Sequence, residues 1–189
     1  ISPTSNPLLE RSLVEKLHKR AEIAGSLGEL EPLAIRLGLM QNTLKPRFSD
    51  PRLLVFASDH GLAVDGIEPP YKRQTHEHAQ ALLTGRLPLS VFARLHQLRL
   101  TVIDAGMAED MAPHEHLLVR KIAHGTRNAR VGAAMSLEQA HAAIRAGMEI
   151  ADSLRGNLIA CAGLGVGSHE SAALVLARLT NTPVREMMV

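Results

Sequence analysis

The sequence predicts an α/β protein: a doubly wound, mainly parallel sheet preceded by a small helical segment. Three observations carry this reading. Apolar runs at residues 52–58, 100–104 and 157–162 have the unbroken aliphatic character of strands buried on both faces. Helical patterns at 75–84, 89–96 and 136–154 separate those runs, so the strands are joined by crossovers and lie parallel. The 46% hydrophobic content includes no Trp, one Tyr and three Phe, so the core is aliphatic and Ala-rich, as suits helices packed on a buried sheet.

Taken in order, residues 12–44 read as two amphipathic helices. Leu13, Leu17 and Ala21 recur every four residues, Gly25-Ser26-Leu27-Gly28 interrupts, and Leu30, Leu33, Ala34, Leu37 and Met40 resume the pattern until Lys45-Pro46 ends it. This gives a helical segment over 1–48 and an α/β domain over 49–189, within a length suited to one well-filled domain. The first strand is bounded by Pro51 and Asp59, and Thr75 reads as the N-cap of the helix that follows. Residues 106–116 read as a surface loop, and Ser168 as the N-cap of a last helix through Ala172, Leu176 and Leu179.

Composition excludes several classes of function. Lys and Arg number 21 against 19 Asp and Glu, a net charge of +2, which leaves no polyanion footprint. Scarce aromatics remove the stacking platforms of a single-strand nucleic-acid binder, so no nucleic-acid partner is expected. No apolar run reaches the length of a membrane span. The single cysteine, Cys161, excludes an intrachain disulfide and a Cys-rich zinc module, and fits a reducing, cytoplasmic setting. The chain starts at Ile1 without Met and reads as trimmed from a longer one.

In a doubly wound sheet, polar residues just past the strands' carboxyl ends border the ligand crevice. Here those are Asp59-His60-Gly61, Asp104-Ala105-Gly106 and the run from Gly163 to Ser168. Gly163, Gly165 and Gly167 let backbone approach a ligand, and a following helix start favours phosphate or carboxylate. The spacing is neither a dinucleotide fingerprint, which would need glycine at Ser168, nor a Walker A loop; tight strand-to-helix packing is the plainer account of the glycines. Asp59 and His60 offer acid, base or ribose-holding groups; equally, Asp59 caps a turn and His60 fills space. Asp104 carries the same ambiguity. Within His124-Gly125-Thr126-Arg127-Asn128, Arg127 suits an anion clamp, although local composition reads as a surface loop.

The histidine triplets His76-Glu77-His78 and His114-Glu115-His116 raise a metal site. On a helix His76 and His78 point roughly 200° apart, and the second triplet lacks a third ligand, so no metal is expected.

Taken together, the motifs resemble the nicotinate-nucleotide:dimethylbenzimidazole phosphoribosyltransferase family of cobalamin lower-ligand assembly. The resemblance rests on Gly25-Ser-Leu-Gly-Glu-Leu-Glu31 with Gln41, Ser58-Asp59-His60-Gly61 with Gly66, Val102-Ile-Asp104-Ala-Gly106, Gly125-Thr-Arg-Asn128, Glu138-Gln-Ala140 with Gly147, and Gly165-Val-Gly-Ser168. It implies a Rossmann-like sheet with a small helical domain and a homodimer; no cofactor is expected, and pairing with an active paralogue belongs to the inactive alternative below. It also implies transfer of the phosphoribosyl group of nicotinate mononucleotide onto an aromatic base nitrogen, giving an α-ribotide. Gly165, Gly167 and Ser168 would cradle the phosphate, and Asp59, His60, Asp104, Arg127 and Lys72 would line the substrate crevice.

Departures from the family pattern are specific. Where the family writes Gly-Glu-Met-Gly-Ile-Gly-Asn-Thr-Thr, this chain has Gly163 for the Glu and Ser168-His169-Glu170 for Asn-Thr-Thr. The base-pocket segment reads Pro70-Tyr71-Lys72-Arg73-Gln74-Thr75, with Lys72 for the usual Gln, and Arg86 stands in a segment usually rich in small residues. The resemblance further places the family's second phosphate loop and principal catalytic Glu beyond Val189. An altered acceptor base is one expectation; a nucleotide-binding paralogue without activity is the alternative.

Overall fold

The computed structural model describes residues 3–19, 25–67 and 74–188. It divides into two compact units, Ile1–Phe48 and Ser49–Val189.

The first unit holds α1 (Pro7–His18) and α2 (Leu30–Met40). α1 starts ahead of residue 12, where the apolar periodicity begins. The Asn6 side chain accepts the Leu9 N–H at 3.1 Å, and Pro7 takes the first helical position, where its missing N–H costs nothing. Leu13, the buried residue of α1, lies on Gly38 of α2; a Cβ at Gly38 would come within 2.6 Å of a Leu13 methyl. Glycine there lets the two helices close. The part of the periodic pattern carried by Ala21 lies outside the described residues.

The second unit runs β1 (Arg52–Ser58), α3 (Thr75–Leu83), α4 (Pro88–Leu95), β2 (Arg99–Gly106), β3 (Leu117–Val119), α5 (Leu137–Ser153), β4 (Ile159–Leu164) and α6 (Ser168–Thr180). Short 3-10 turns occupy Gly61–Asp65 and Val184–Glu186. The four strands form one parallel sheet in the order β3-β2-β1-β4. Leu53, Val55, Ala57 and Val102 pack on one face against Ala79 and Leu82 of α3 and Ala93 of α4. Leu54 and Ile103 pack on the other against Ile150 of α5. Helices on both faces make the α/β sheet doubly wound, as the sequence predicts.

Four local expectations are corrected. Thr75 is the first helical residue rather than the N-cap, which is Gln74, whose N–H is accepted by the Glu77 carboxylate at 2.8 Å. Ser168 is likewise the first residue of α6, because Gly167 in the left-handed region (φ +80°) takes the cap. β3 follows the 106–116 loop; at three residues it is too short to leave a periodic signal. β4 is not buried on both faces: Ile159 is 44% exposed, and Cys161 and Gly163 are exposed too. The strand pairs with β1 alone and forms an edge of the described sheet. No helix among the described residues is long and apolar enough to cross a membrane.

Candidate active site

Strand order locates the site. The chain leaves β1 for β2 and β3 on one side and returns to β1's other side as β4, so the direction of winding reverses between β1 and β4. Ligands of open parallel sheets bind outside the carboxyl ends at such a point. Ser58-Asp59-His60-Gly61 and the Gly163-to-Ser168 run both emerge there.

The two segments fit by backbone proximity. A Cβ on Gly165 (φ +155°) would collide with the Ser58 carbonyl oxygen, and one on Gly167 would stand 3.2 Å from His60 Cβ. The plainer account of these glycines as packing residues is therefore correct for Gly165. It does not exclude ligand binding, since the loop opens into a helix start. No acceptor among the described residues takes the amides of Gly167, His169 or Glu170, the orphan donors at the head of α6. The Ser168 amide bonds the Gly165 carbonyl at 3.2 Å.

Asp59 organises the crevice. Its Oδ2 accepts the Ala108 N–H at 2.8 Å, and its Oδ1 accepts the Thr75 hydroxyl. Thr75 Oγ1 in turn accepts the Val166 N–H at 3.1 Å. The Asp59 carbonyl accepts Thr126 N–H at 3.1 Å, and Gly61 N–H reaches Thr126 Oγ1 at 3.2 Å. Gly61 has no room for a side chain, because a Cβ would strike the backbone between Arg127 and Asn128. The 124–128 segment is thus docked on the Asp59-His60-Gly61 turn rather than loose on the surface. The exposed Arg127 side chain has no hydrogen bond or ion pair among the described residues.

His60 is half-buried, with Nε2 3.2 Å from Ser58 Oγ. Burial lowers its pKa below the ordinary value, against the opposing pull of Asp59 and Glu170, so the ring is neutral at pH 7. It borders a cleft of about 690 Å³ lined also by Ser58, Thr126, Arg127, Ser136 and Glu138.

Asp104 does not line that cleft. At 2% exposure its Oδ1 accepts the Gly106 and Met107 N–H groups at 3.1 and 2.9 Å, and its Oδ2 pairs with Lys121 Nζ at 3.3 Å. Burial opposes the Lys121 charge, but its bonds to Asp110 and Asp104 outweigh that and raise its pKa. Asp104 is therefore the turn-capping residue of its two readings. Lys72 and Arg73 lie outside the described residues. His76 faces Glu109 at 3.4 Å, while His78 is buried. Among the described residues no group of three His, Cys, Asp or Glu converges as a metal site would require.

Sequence reasoning missed Thr75 as the link between β1 and the glycine loop. Its place beside a helix start suggested a cap, and no periodicity distinguishes a first helical residue from the one before it. The Ser136 and Glu138 contribution to the cleft was equally illegible, since Ser136 reads only as a helix cap and Glu138 as a first-turn acid.

The glycine loop and the open helix start meet at the winding reversal of a doubly wound α/β sheet, the place at which proteins of that class bind their ligands. Comparison with known proteins is specific. A family model described as phosphoribosyltransferase matches residues 2–189, and the chain belongs to that family. It is 36% identical over 186 residues to the nicotinate-nucleotide–dimethylbenzimidazole phosphoribosyltransferase of Janthinobacterium sp. (strain Marseille), covering 98% of this chain and 54% of that protein. The enzyme of the same name from Variovorax paradoxus (strain S110) is 37% identical over 184 residues, 97% of this chain and 53% of that one. The crystal structure of the Thermus thermophilus enzyme superposes with a TM-score of 0.77 at 28% identity, covering 94% of this chain and 59% of that chain. The chain spans about half the length of the curated relatives it matches.

Proposed function

We propose that this chain supports phosphoribosyl transfer from nicotinate mononucleotide to an aromatic base, dimethylbenzimidazole or a related azole. An azole nitrogen attacks C1′ of the ribose, and the C1′–N bond to the pyridinium breaks with its electron pair passing to the pyridine nitrogen. Nicotinate leaves, the azole N–H proton passes to a base, and an α-ribotide results. Such a step needs an anchored phosphate, a held ribose and a proton acceptor near the attacking nitrogen.

The observation that carries this reading is the glycine loop folded against β1 at the winding reversal, with three unclaimed amides at the head of α6. Those amides suit the phosphate, and Ser168 adds a hydroxyl at the same helix start. Neutral His60, beside both this loop and the cleft, suits a ribose hydroxyl or the departing proton. Arg127 offers a cation to a carboxylate such as that of nicotinate, and Lys72 a further donor. Asp59, which lines the cleft beside His60, holds its neighbours through one hydrogen bond at each oxygen and keeps a lone pair on each for a ribose hydroxyl. Work in the cytoplasm and pairing with a second copy or a paralogue complete the proposal.

Incubating the full-length protein with nicotinate mononucleotide and a panel of benzimidazoles, purines and phenols tests it. Nicotinate release with at least one acceptor is expected; nucleotide binding without release from any acceptor favours the inactive paralogue.

A further inference from the structure

We infer that Thr75 is a positioning residue for the phosphate loop, setting the Gly165-to-Ser168 backbone through a relay that starts at Asp59. The inference rests on the functional reading above only for the identity of the ligand.

Thr75 is 2% exposed, and its hydroxyl uses both capacities at once. It donates its proton to Asp59 Oδ1 and accepts the Val166 N–H at 3.1 Å. The donation to a carboxylate fixes the hydroxyl's orientation, so its lone pair faces Val166. Asp59 is itself fixed by the Ala108 N–H at 2.8 Å, which adds the loop after β2 to the same chain of bonds. Three segments are thereby joined through one side-chain oxygen at the crevice: the end of β1, the start of α3 and the loop after β4.

The relay takes one amide of the loop out of reach of a ligand, and a backbone bond takes a second. Val166 N–H is spent on Thr75 and Ser168 N–H on the Gly165 carbonyl. Among the described residues, Gly167, His169 and Glu170 keep theirs. Gly167 stands in the left-handed region (φ +80°), which turns the chain between the spent and the open amides. Val166, 6% exposed, anchors the turn in the interior, so its amide bond and its side chain hold the same point. Without the hydroxyl, a buried Val166 N–H loses its acceptor and the loop is held by packing alone.

Valine at position 75 keeps the shape and removes the relay; serine keeps the hydroxyl. In the full-length protein, amide exchange at Val166 is expected to speed up at least tenfold in Thr75→Val and to stay near wild type in Thr75→Ser. Calorimetric affinity for inorganic phosphate, measured where both variants are fully folded, is expected to fall about tenfold in Thr75→Val only. Unchanged Val166 exchange in Thr75→Val overturns the inference, as does faster exchange with unchanged phosphate affinity, or a wild-type protein that binds no phosphate. Phosphate binding lost in Thr75→Val and kept in Thr75→Ser supports it even where no acceptor yields nicotinate, which would count against the proposed reaction alone.

Discussion

The Ser58 carbonyl oxygen occupies the space in which a side chain at Gly165 would begin. β1 and the loop after β4 therefore meet as bare backbone, and Gly165→Ala must either push the loop off β1 or distort it, at a φ of +155° that alanine disfavours. Strain and overpacking together are expected to cost about 3 kcal/mol or more, read as a lowered midpoint in urea unfolding.

Gly163 is the opposite case. Among the described residues, no atom beyond its two chain neighbours lies within 4 Å of a Cβ placed there. Gly163→Glu, which introduces the carboxylate that the family pattern writes at this position, is expected to change stability by less than about 1 kcal/mol. It is also expected to raise nicotinate release by the full-length protein about tenfold or more, within the range of an added acid or base. Steady-state assays of both proteins with one acceptor check this.

Asp104 holds the turn after β2, through its bonds to the Gly106 and Met107 amides and its pair with Lys121. Asp104→Ala strands the Gly106 and Met107 amides and takes a buried partner from Lys121, for a cost of roughly 3–5 kcal/mol. Thermal melts are expected to show a lowered Tm, while phosphate affinity of folded Asp104→Asn stays at the wild-type value.

His60 makes stability depend on pH. Its folded-state pKa lies below the ordinary value of 6.5 through burial, so below pH 6.5 the unfolded chain binds a proton that the folded chain resists. Stability unaffected by this group above that pH is lost as pH falls from about 6.5 through the folded-state pKa. Tm measured between pH 7 and pH 5 is expected to decline less steeply in His60→Gln than in wild type.

Three of the four strands were legible because their determinants are local. The apolar run of β1 between Pro51 and Asp59 coincides with Arg52–Ser58, and Ser136 caps α5 through the Gln139 N–H at 3.2 Å. What required the structure is what depends on distant pairing. Asp59, His60 and Arg127 were visible as candidates, but their partners stand far away in sequence: Thr75 and Ala108 for Asp59, the Gly61 turn for the Arg127 segment. The exposure of β4 was invisible for the same reason. An aliphatic run reports that a strand can be buried and says nothing of whether both its edges are paired.

The most direct test of the account is a balance of products. Full-length protein supplied with nicotinate mononucleotide and dimethylbenzimidazole is predicted to release nicotinate and form an α-ribotide in equal amounts, followed together by chromatography and proton NMR. Nicotinate freed without any ribotide, or neither product with any azole offered, would contradict it.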